Sequence, residues 1–288
     1  MKVSVVIPCY NAADTLHVQL DALTKQRWPE PWEVILSDNG STDESRSIAH
    51  QYADRLPDFQ IIDSSEVQGP AHARNKGAQV ARGESLLFCD ADDEVEIGWL
   101  AAMGEALQSN DFVTCRFEAA KLSAPWAVKA RMCPQENGIQ TYGYPPFLPH
   151  AASAGIGIKR RIHEAVGGFD ETMPMLEDTD YCWRVQLMGI KLVFVKDALI
   201  HYRLRNSVKK MLRQSRLWGE YNVYLYRKYR SHGMQKLSKR TGIKKTWYMM
   251  KSMPYCIKDP QKRLGWLWQF AWQYGRAVGS VKYGVFAL

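Results

Sequence analysis

Short apolar runs alternate with stretches of helical periodicity through the first 90 residues of the chain. The apolar runs, rich in branched or aromatic residues as β-strands are, lie at 3–7, 34–36, 59–62 and 86–89. The stretches with helical spacing lie between them, at 12–26, 42–52 and 71–82. Strands that alternate with helices are joined by crossover connections. The pattern therefore predicts an α/β fold with a mainly parallel sheet flanked by helices.

Polar loops follow three of these predicted strands. They cover residues 8–11, 37–41 and 90–93, and the last two are acidic. Sheets of this kind bind ligands beyond the carboxyl ends of their strands. The three loops are therefore the first candidates for a functional site.

The net charge of +8 is divided unequally along the 288 residues. Residues 1–204 contain 19 Lys and Arg against 28 Asp and Glu, whereas residues 205–288 contain 19 against 2. An acidic body and a basic tail need separate explanations. We expect two domains with a boundary near residue 204, the second being a basic, aromatic, helical extension.

The composition excludes several classes of protein. Hydrophobic residues make up 46% and charged residues 24%, which excludes disordered, collagenous and fibrous chains. No apolar stretch is long enough for a spanning helix, and the amino-terminal segment becomes polar too early for a secretory signal. The six cysteines are scattered without metal-like spacing. We expect a cytoplasmic protein with reduced thiols.

The acidic loop after the fourth strand suits a divalent cation. Asp90 and Asp92 flank Ala91 at the end of an apolar strand, where two carboxylates at this spacing point to one face. Such oxygen ligands fit Mg²⁺ or Mn²⁺ bridged to a diphosphate. Taken alone, the motif is more typical of a solvated acidic turn, because it is common by chance.

This motif belongs to an ordered series. The series comprises VSVVIPCYN at 3–11, SDNGSTD at 37–43, ARNKG at 73–77, FCDADD at 88–93, GGFDE at 167–171 and EDTD at 177–180. With these motifs, residues 1–204 closely resemble the family 2 glycosyltransferases, which have the GT-A fold. The resemblance implies a metal-dependent, inverting transfer of a sugar from a nucleotide sugar to a hydroxyl acceptor, and Mn²⁺ or Mg²⁺ as cofactor.

The resemblance also implies a nucleotide-sugar site. The tyrosine ring of the first loop would lie against the base, while the carboxylate of the second accepts from the base or the ribose. This chain has Asn39 where the family usually has a second Asp, so UDP is the expected nucleotide but GDP and dTDP stay open. The implied nucleotide-sugar residues are Pro8, Tyr10, Asn11, Asp38, Arg74, Asp90 and Ala91.

Catalytic and metal residues follow from the same resemblance. Asp178 matches the general base that deprotonates the acceptor hydroxyl. Asp92 and His201 are the expected metal ligands, and Gly155 and Glu177 are placed on the acceptor side. The alternatives are an acidic first turn at a helix N-terminus for 177–178, and structural roles for His201 and Gly155.

The basic tail alternates cations with Trp, Tyr and Met. One helical face at 264–275 collects Leu264, Leu267, Trp268, Ala271, Trp272 and Gly275. Aromatic segments with basic flanks suit the headgroup boundary of an anionic membrane. We expect peripheral attachment to the inner face of the plasma membrane, with a packed helix or a tilted insertion as alternatives.

The expected acceptor is a saccharide or a lipid-linked molecule, in the synthesis of a surface polysaccharide or glycolipid. The proline-rich segment 119–150 is expected to be irregular, and a flap over the site is one interpretation. Two other functions stay open. A nucleic-acid-binding module would use the tail, but the acidic body makes nucleic acid an unexpected partner. A sugar-nucleotide binder without turnover is the other.

Overall fold

The structure is a computed structural model that describes residues 2–131, 133–143 and 145–287. The chain divides into two units. The first comprises Met1–Leu122, Pro134–Gln140 and Pro149–Arg203. The second comprises Ser123–Cys133, Thr141–Leu148 and Leu204–Leu288, so it takes in two stretches of the proline-rich segment besides the basic tail.

The first unit is built on an eight-stranded mixed sheet with the order β3-β2-β1-β4-β7-β6-β8-β5. Its strands are β1 Val3–Cys9, β2 Trp32–Asp38, β3 Phe59–Asp63, β4 Ser85–Phe88, β5 Glu94–Val95, β6 Phe112–Glu118, β7 Ile156–Lys159 and β8 Val193–His201. The pairs β1–β2, β1–β4, β2–β3 and β6–β8 are parallel. Strands β7 and β5 are antiparallel to their neighbours. With four parallel pairs against three antiparallel ones, the sheet is mainly parallel, as the alternation predicts.

The helices lie between and after these strands. They are α1 Leu16–Thr24, α2 Ser45–His50, α3 Pro70–Val80, α4 Trp99–Ser109, α5 Pro125–Ala130, α6 Arg160–Val166, α7 Glu177–Leu187, α8 Val208–Tyr229, α9 Lys239–Lys258 and α10 Pro260–Lys282. Helix α5 falls in the segment expected to be irregular. Together with α8, α9 and α10, it belongs to the second unit.

The parallel strands bring the polar loops to one edge of the sheet. In the register of the sheet, Cys9 lies opposite Asp38, and Asp38 lies opposite Asp63. Val6 pairs with Phe88, so β4 ends beside the loop that follows β1. The strand residues of β1, β2 and β4 are almost all buried, because helices cover both faces of a parallel sheet. The loops that follow these strands therefore start side by side from a rigid core.

Strand β8 is nine residues long and begins with a continuous apolar run of only three residues. It continues to His201 because β6 lies beside it, with a register shift between Cys115 and Arg116, and because β5 pairs antiparallel with its end. Glu94 lies opposite His201 in that pair. The extension places His201 at the carboxyl end of the strand, next to the acidic loop.

In the second unit, α10 packs on α8 at very close range. A Cβ atom added to Gly275 would lie 1.9 Å from the carbonyl oxygen of Arg216, and one added to Gly219 would lie 2.1 Å from that of Trp272. The Ser215 hydroxyl donates to the carbonyl oxygen of Trp268 at 2.7 Å. The face of α10 predicted to meet a membrane, which includes Trp268 and Gly275, therefore packs on α8 instead. Among the described residues, no helix combines the length and hydrophobicity needed to cross a bilayer.

Replacing Gly275 with Ala is expected to lower the free energy of unfolding of the second unit by about 3 kcal/mol, since the added methyl group overlaps backbone of α8. Gly265→Ala is the matched control in the same helix. Its nearest neighbour, the carbonyl oxygen of Ala130, would lie at an ordinary 3.7 Å, so this change should stabilise the helix by about 0.5–1 kcal/mol. Thermal or urea unfolding of both variants checks the pair, and equal effects would contradict the close packing.

Candidate active site

Three carboxylates converge in the loop after β4. One oxygen from each of Asp90, Asp92 and Asp93 lies within 4.8 Å of the others. Asp93 is buried, and its Oδ2 atom has no hydrogen-bond partner in the described part of the chain. Burial raises the pKa of Asp93 well above its ordinary value, and the charges of Asp92 and Asp90 raise it further. A divalent cation would offset this concentrated negative charge, so the donor set fits Mg²⁺ or Mn²⁺.

The segment after β8 holds this loop in place through Arg203. Its backbone N–H donates to Asp93 Oδ1 at 2.8 Å, and its Nε donates to the carbonyl oxygen of Asp92 at 2.7 Å. Its Nη1 also donates to the carbonyl oxygen of Leu122 at 3.2 Å. The sequence motifs do not single out Arg203. The available signal was a cation two residues beyond the histidine at the end of a strand.

Arg74 connects the acidic loop to the start of α7. Its side chain is only 3% exposed, and its Nη2 donates to Asp90 Oδ1 at 2.7 Å. Its Nη1 donates to Glu177 Oε1 at 3.2 Å. Arg74 is presented by α3, a helix whose small residues allow close packing on the sheet; Gly77 would overlap Val6 if it carried a Cβ. One buried guanidinium therefore pairs with carboxylates from two separate motifs.

Glu177 and Asp178 begin α7 in a buried, acidic turn. Burial, and after it the charge of the adjacent Asp178, raise the pKa of Glu177 to about 7, with Arg74 acting in the opposite direction. Burial also raises the pKa of Asp178, while the N–H of Thr179, which donates to Asp178 Oδ1 at 2.7 Å, lowers it. Leu176, just before them, has a left-handed φ of 60°, a strained backbone of the kind found at functional sites.

Asp178 is the less buried residue of this pair. It is half-buried, whereas Glu177 is buried and bound to Arg74. Two residues on, Asp180 accepts from Arg184 Nε at 2.7 Å in an i, i+4 ion pair, a structural role that the spacing predicts. The first turn of α7 therefore presents one carboxylate, that of Asp178, in a form suited to accept a proton.

The loops after β1 and β2 form the adjoining polar surface. The Tyr10 ring is 55% exposed, and Asp38 is buried, with its Oδ1 accepting the backbone N–H of Ser41 at 3.3 Å. Asn11 has a left-handed φ of 48°, and its Oδ1 accepts the backbone N–H of Thr42 at 2.8 Å. Pro8 is half-buried in β1. The structure thus brings together an exposed ring and a fixed carboxylate beside the acidic loop.

Asn39, the departure from the family pattern, has a structural role in this loop. Its Nδ2 donates to the carbonyl oxygens of Ser64 and Val67, at 2.5 and 2.8 Å. Its Oδ1 accepts the backbone N–H of Gly69 at 2.8 Å. An aspartate could not make the two donor contacts, so the amide fits the backbone that leads into α3.

Two sequence assignments need correction. His201 is not a member of the three-aspartate cluster. Its Nδ1 pairs with Glu118 Oε2 at 2.9 Å, and its Nε2 pairs with Glu96 Oε2 at 2.8 Å. In this arrangement the His201 imidazole contacts two carboxylates outside the aspartate cluster. Gly155 is buried, and a Cβ there would lie 2.6 Å from the Phe117 ring. Close packing, rather than room for an acceptor, explains this glycine. Ala91 is also buried, and its carbonyl oxygen accepts from Thr15 Oγ1 at 3.4 Å.

Comparison with protein families gives a match to the model described as Glycosyl transferase family 2, over residues 4–167. Among curated proteins, the chain is 42% identical over 94 residues to the uncharacterized glycosyltransferase YibD of Escherichia coli, which covers 33% of this chain and 27% of that protein. It is 29% identical over 233 residues to the pre-mycofactocin glycosyltransferase of Mycobacterium tuberculosis, covering 75% of this chain and 46% of the relative. The chain therefore matches less than half the length of these two relatives.

Solved structures give a likeness over the whole chain. The mannosyltransferase PcManGT from Pyrobaculum calidifontis, in complex with GDP-Man and Mn²⁺, has a TM-score of 0.61 at 19% identity, covering 100% of this chain and 76% of that one. S. aureus TarS 1-349 in complex with UDP-GlcNAc has a TM-score of 0.58 at 18% identity, covering 100% and 93%. At this level of identity, the likeness establishes the fold.

Proposed function

Because the chain belongs to glycosyl transferase family 2 and has the GT-A fold, we propose that it moves a sugar from a nucleoside diphosphate donor to a hydroxyl group of an acceptor, with inversion at the anomeric carbon. The observation that carries the proposal is the Arg74 bridge. It holds Asp90 of the acidic loop at 2.7 Å and Glu177 of α7 at 3.2 Å. The acidic loop and the acidic first turn of α7 are thereby held side by side by one buried guanidinium.

The proposed metal ligands are Asp90, Asp92 and Asp93, which fit Mn²⁺ or Mg²⁺ by the nature and spacing of their oxygens. A cation bound there would neutralise charge that develops on the departing diphosphate. Arg74 would orient the proposed ligand Asp90 through their buried ion pair. Arg203 keeps the loop in register by holding the backbone of Asp92 and the carboxylate of Asp93.

Asp178 is the proposed general base. It removes the proton from the acceptor hydroxyl while that oxygen forms a bond to the anomeric carbon, on the face opposite the leaving group. The bond between the anomeric carbon and the diphosphate oxygen breaks, so the sugar is inverted and the proton remains on Asp178. Burial supports this role because it raises the pKa of Asp178 and so strengthens it as a base.

Tyr10 and Asp38 are the proposed nucleobase contacts, with Pro8 and Asn11 shaping the loop around them. Complexes of similar folds contain UDP-GlcNAc and GDP-Man, and we propose a UDP-sugar as donor for this chain. The proposed acceptor is a saccharide or a lipid-linked hydroxyl, as in the synthesis of a surface polysaccharide or glycolipid at the inner face of the membrane. Glu177, held in place by Arg74, would lie on the acceptor side of the site.

A thermal-shift panel tests the proposal. UDP, GDP and dTDP are each added with and without Mn²⁺, and we expect UDP to raise the Tm only when Mn²⁺ is present. A ligand at 100 times its Kd adds about 2.7 kcal/mol to stability. Asp38→Asn should weaken the UDP effect, while the matched variant Asp197→Asn, at an exposed site in β8, should not. The proposal is wrong if no nucleotide stabilises the protein with any divalent metal.

A further inference from the structure

One strip of α9 is apolar and exposed along most of the helix. Its members recur at i, i+4, i+7, i+11 and i+14, the spacing that normally marks the side of a helix facing a core. Ile243 is 59% exposed, Trp247 55%, Met250 44% and Ile257 39%. Pro254 completes the strip and is exposed as well. Over about 21 Å of helix, at 1.5 Å per residue, this surface has no covering element in the described part of the chain.

The inward side of α9 consists of other residues. Gly242 is buried, and the half-buried positions are Thr246, Met249, Ser252 and Cys256. The indole Nε1 of Trp266 in α10 donates to the carbonyl oxygen of Met249 at 2.9 Å. Helix α9 is thus attached to its own unit by one side, and the exposed strip lies on another.

A row of cations lies beside the strip. Arg240, Lys244, Lys251 and Lys258 are exposed and share one side of the helix. Lys251 Nζ lies 5.0 Å from the centroid of the Trp247 ring, and Lys244 Nζ lies 5.8 Å from that of Tyr248. The α9 sequence contains six Lys and Arg and no acidic residue. Its outward surface therefore combines apolar, aromatic and positively charged groups.

We propose that α9 docks in the plane of an anionic lipid surface, with the apolar strip among the acyl chains and the cationic row at the headgroups. A second copy of the chain is a poorer occupant, because pairing two such helices would oppose six cations to six. Single-stranded nucleic acid would satisfy the cations, but Ile243, Met250 and Ile257 offer nothing on which a base can stack. The inference needs no transfer activity, so it stands or fails independently of the proposed function.

Vesicle co-sedimentation of the full chain tests the proposal. Vesicles of phosphatidylcholine alone are compared with vesicles that contain about 30% phosphatidylglycerol, at about 0.1 M NaCl and at higher salt. We expect binding to the anionic vesicles that weakens as salt rises. No binding to the anionic vesicles, or equal binding to both compositions, would overturn the proposal.

Two variants and one control locate the surface. Trp247→Glu with Met250→Glu should lower the partition coefficient about 100-fold or more, because it removes two inserted side chains. Lys244→Gln, Lys251→Gln and Lys258→Gln together should lower it roughly 100-fold and reduce its salt dependence. Tyr274→Glu with Val281→Glu is the control, with the same charge change at exposed positions of α10, and should bind as the parent does.

Circular dichroism checks that each variant is folded, and the lysine variant preserves the apolar strip if the glutamate variant does not fold. Equal loss of binding in the α10 control would overturn the assignment to α9. Sedimentation velocity measures whether the protein self-associates. A parent protein that self-associates, and loses this with Trp247→Glu, would show that a second copy covers the strip. Tighter binding of the parent to a single-stranded oligonucleotide than to vesicles, lost in the same variants, would also overturn the lipid proposal.

Discussion

Replacing Asp178 with Asn is expected to lower kcat for sugar transfer about 10³-fold and to leave the affinity for UDP and Mn²⁺ unchanged. A general base typically contributes 10²- to 10⁴-fold, and the amide cannot take the proton from the acceptor hydroxyl. Nucleotide affinity persists because Arg74 pairs with Asp90 and Glu177 rather than with Asp178. Steady-state kinetics together with calorimetric titration of UDP measure the two quantities separately.

Glu177→Gln is the matched variant at the neighbouring residue, and we expect a different result from it. Asp178 must be ionised to act as a base, so transfer falls as pH drops through the pKa of Asp178, which burial holds above its ordinary value. Asp178 ionises first of the two, and its charge helps to raise the pKa of Glu177 to about 7, so Glu177 is already neutral where Asp178 titrates. Glu177→Gln should therefore leave the acidic limb of the pH profile in place, with transfer retained. If Glu177→Gln abolishes transfer and Asp178→Asn only moves the limb, the base assignment is reversed.

Removing the divalent metal should abolish transfer almost as completely as removing the base. We expect EDTA to lower the rate by about 10²- to 10³-fold, since a metal contributes several kcal/mol to stabilising charge on a leaving group. Mn²⁺ or Mg²⁺ should restore the parent enzyme. Asp92→Asn should not be restored at the same metal concentration, because one of the three clustered oxygen ligands has lost its charge.

Asp197→Asn provides the control for this experiment, since Asp197 is an exposed aspartate in β8 of the same unit. Its metal response should equal that of the parent. Calorimetric titration of Mn²⁺ into both variants distinguishes loss of the ion from loss of catalysis. Full activity in EDTA, or an unchanged Mn²⁺ affinity in Asp92→Asn, would contradict a metal site at the acidic loop.

The sheet and its polar loops could be predicted because their signals are local. Alternating strands and helices specify parallel pairing, and parallel pairing places the segments that begin at Cys9, Asp38 and Cys89 at one edge. Strand β7 could not be predicted in the same way. It has four residues, and Gly157 must meet Leu87 and Val113 side chains closely to fit between β4 and β6. That requirement exists only in the assembled sheet.

The role of His201 depends on contacts that are distant in sequence. Its partners Glu96 and Glu118 belong to different segments and reach its two ring nitrogens only after β5, β6 and β8 have come together. The tail presents a similar ambiguity. A helix face with tryptophans and glycines suits both lipid and another helix, and the contact at Gly275 decides for the helix. The regular spacing of the α9 strip can be read from the sequence, whereas its exposure is known only from the structure.

The double attachment of Arg74 has a practical consequence for anyone who wishes to change the specificity of this protein. Substitutions at position 90 and at position 177 share a single guanidinium, so their effects on activity should not add. A library that varies position 90 while keeping position 177 constant would therefore mislead. Both positions have to be randomised together, with Arg74 kept.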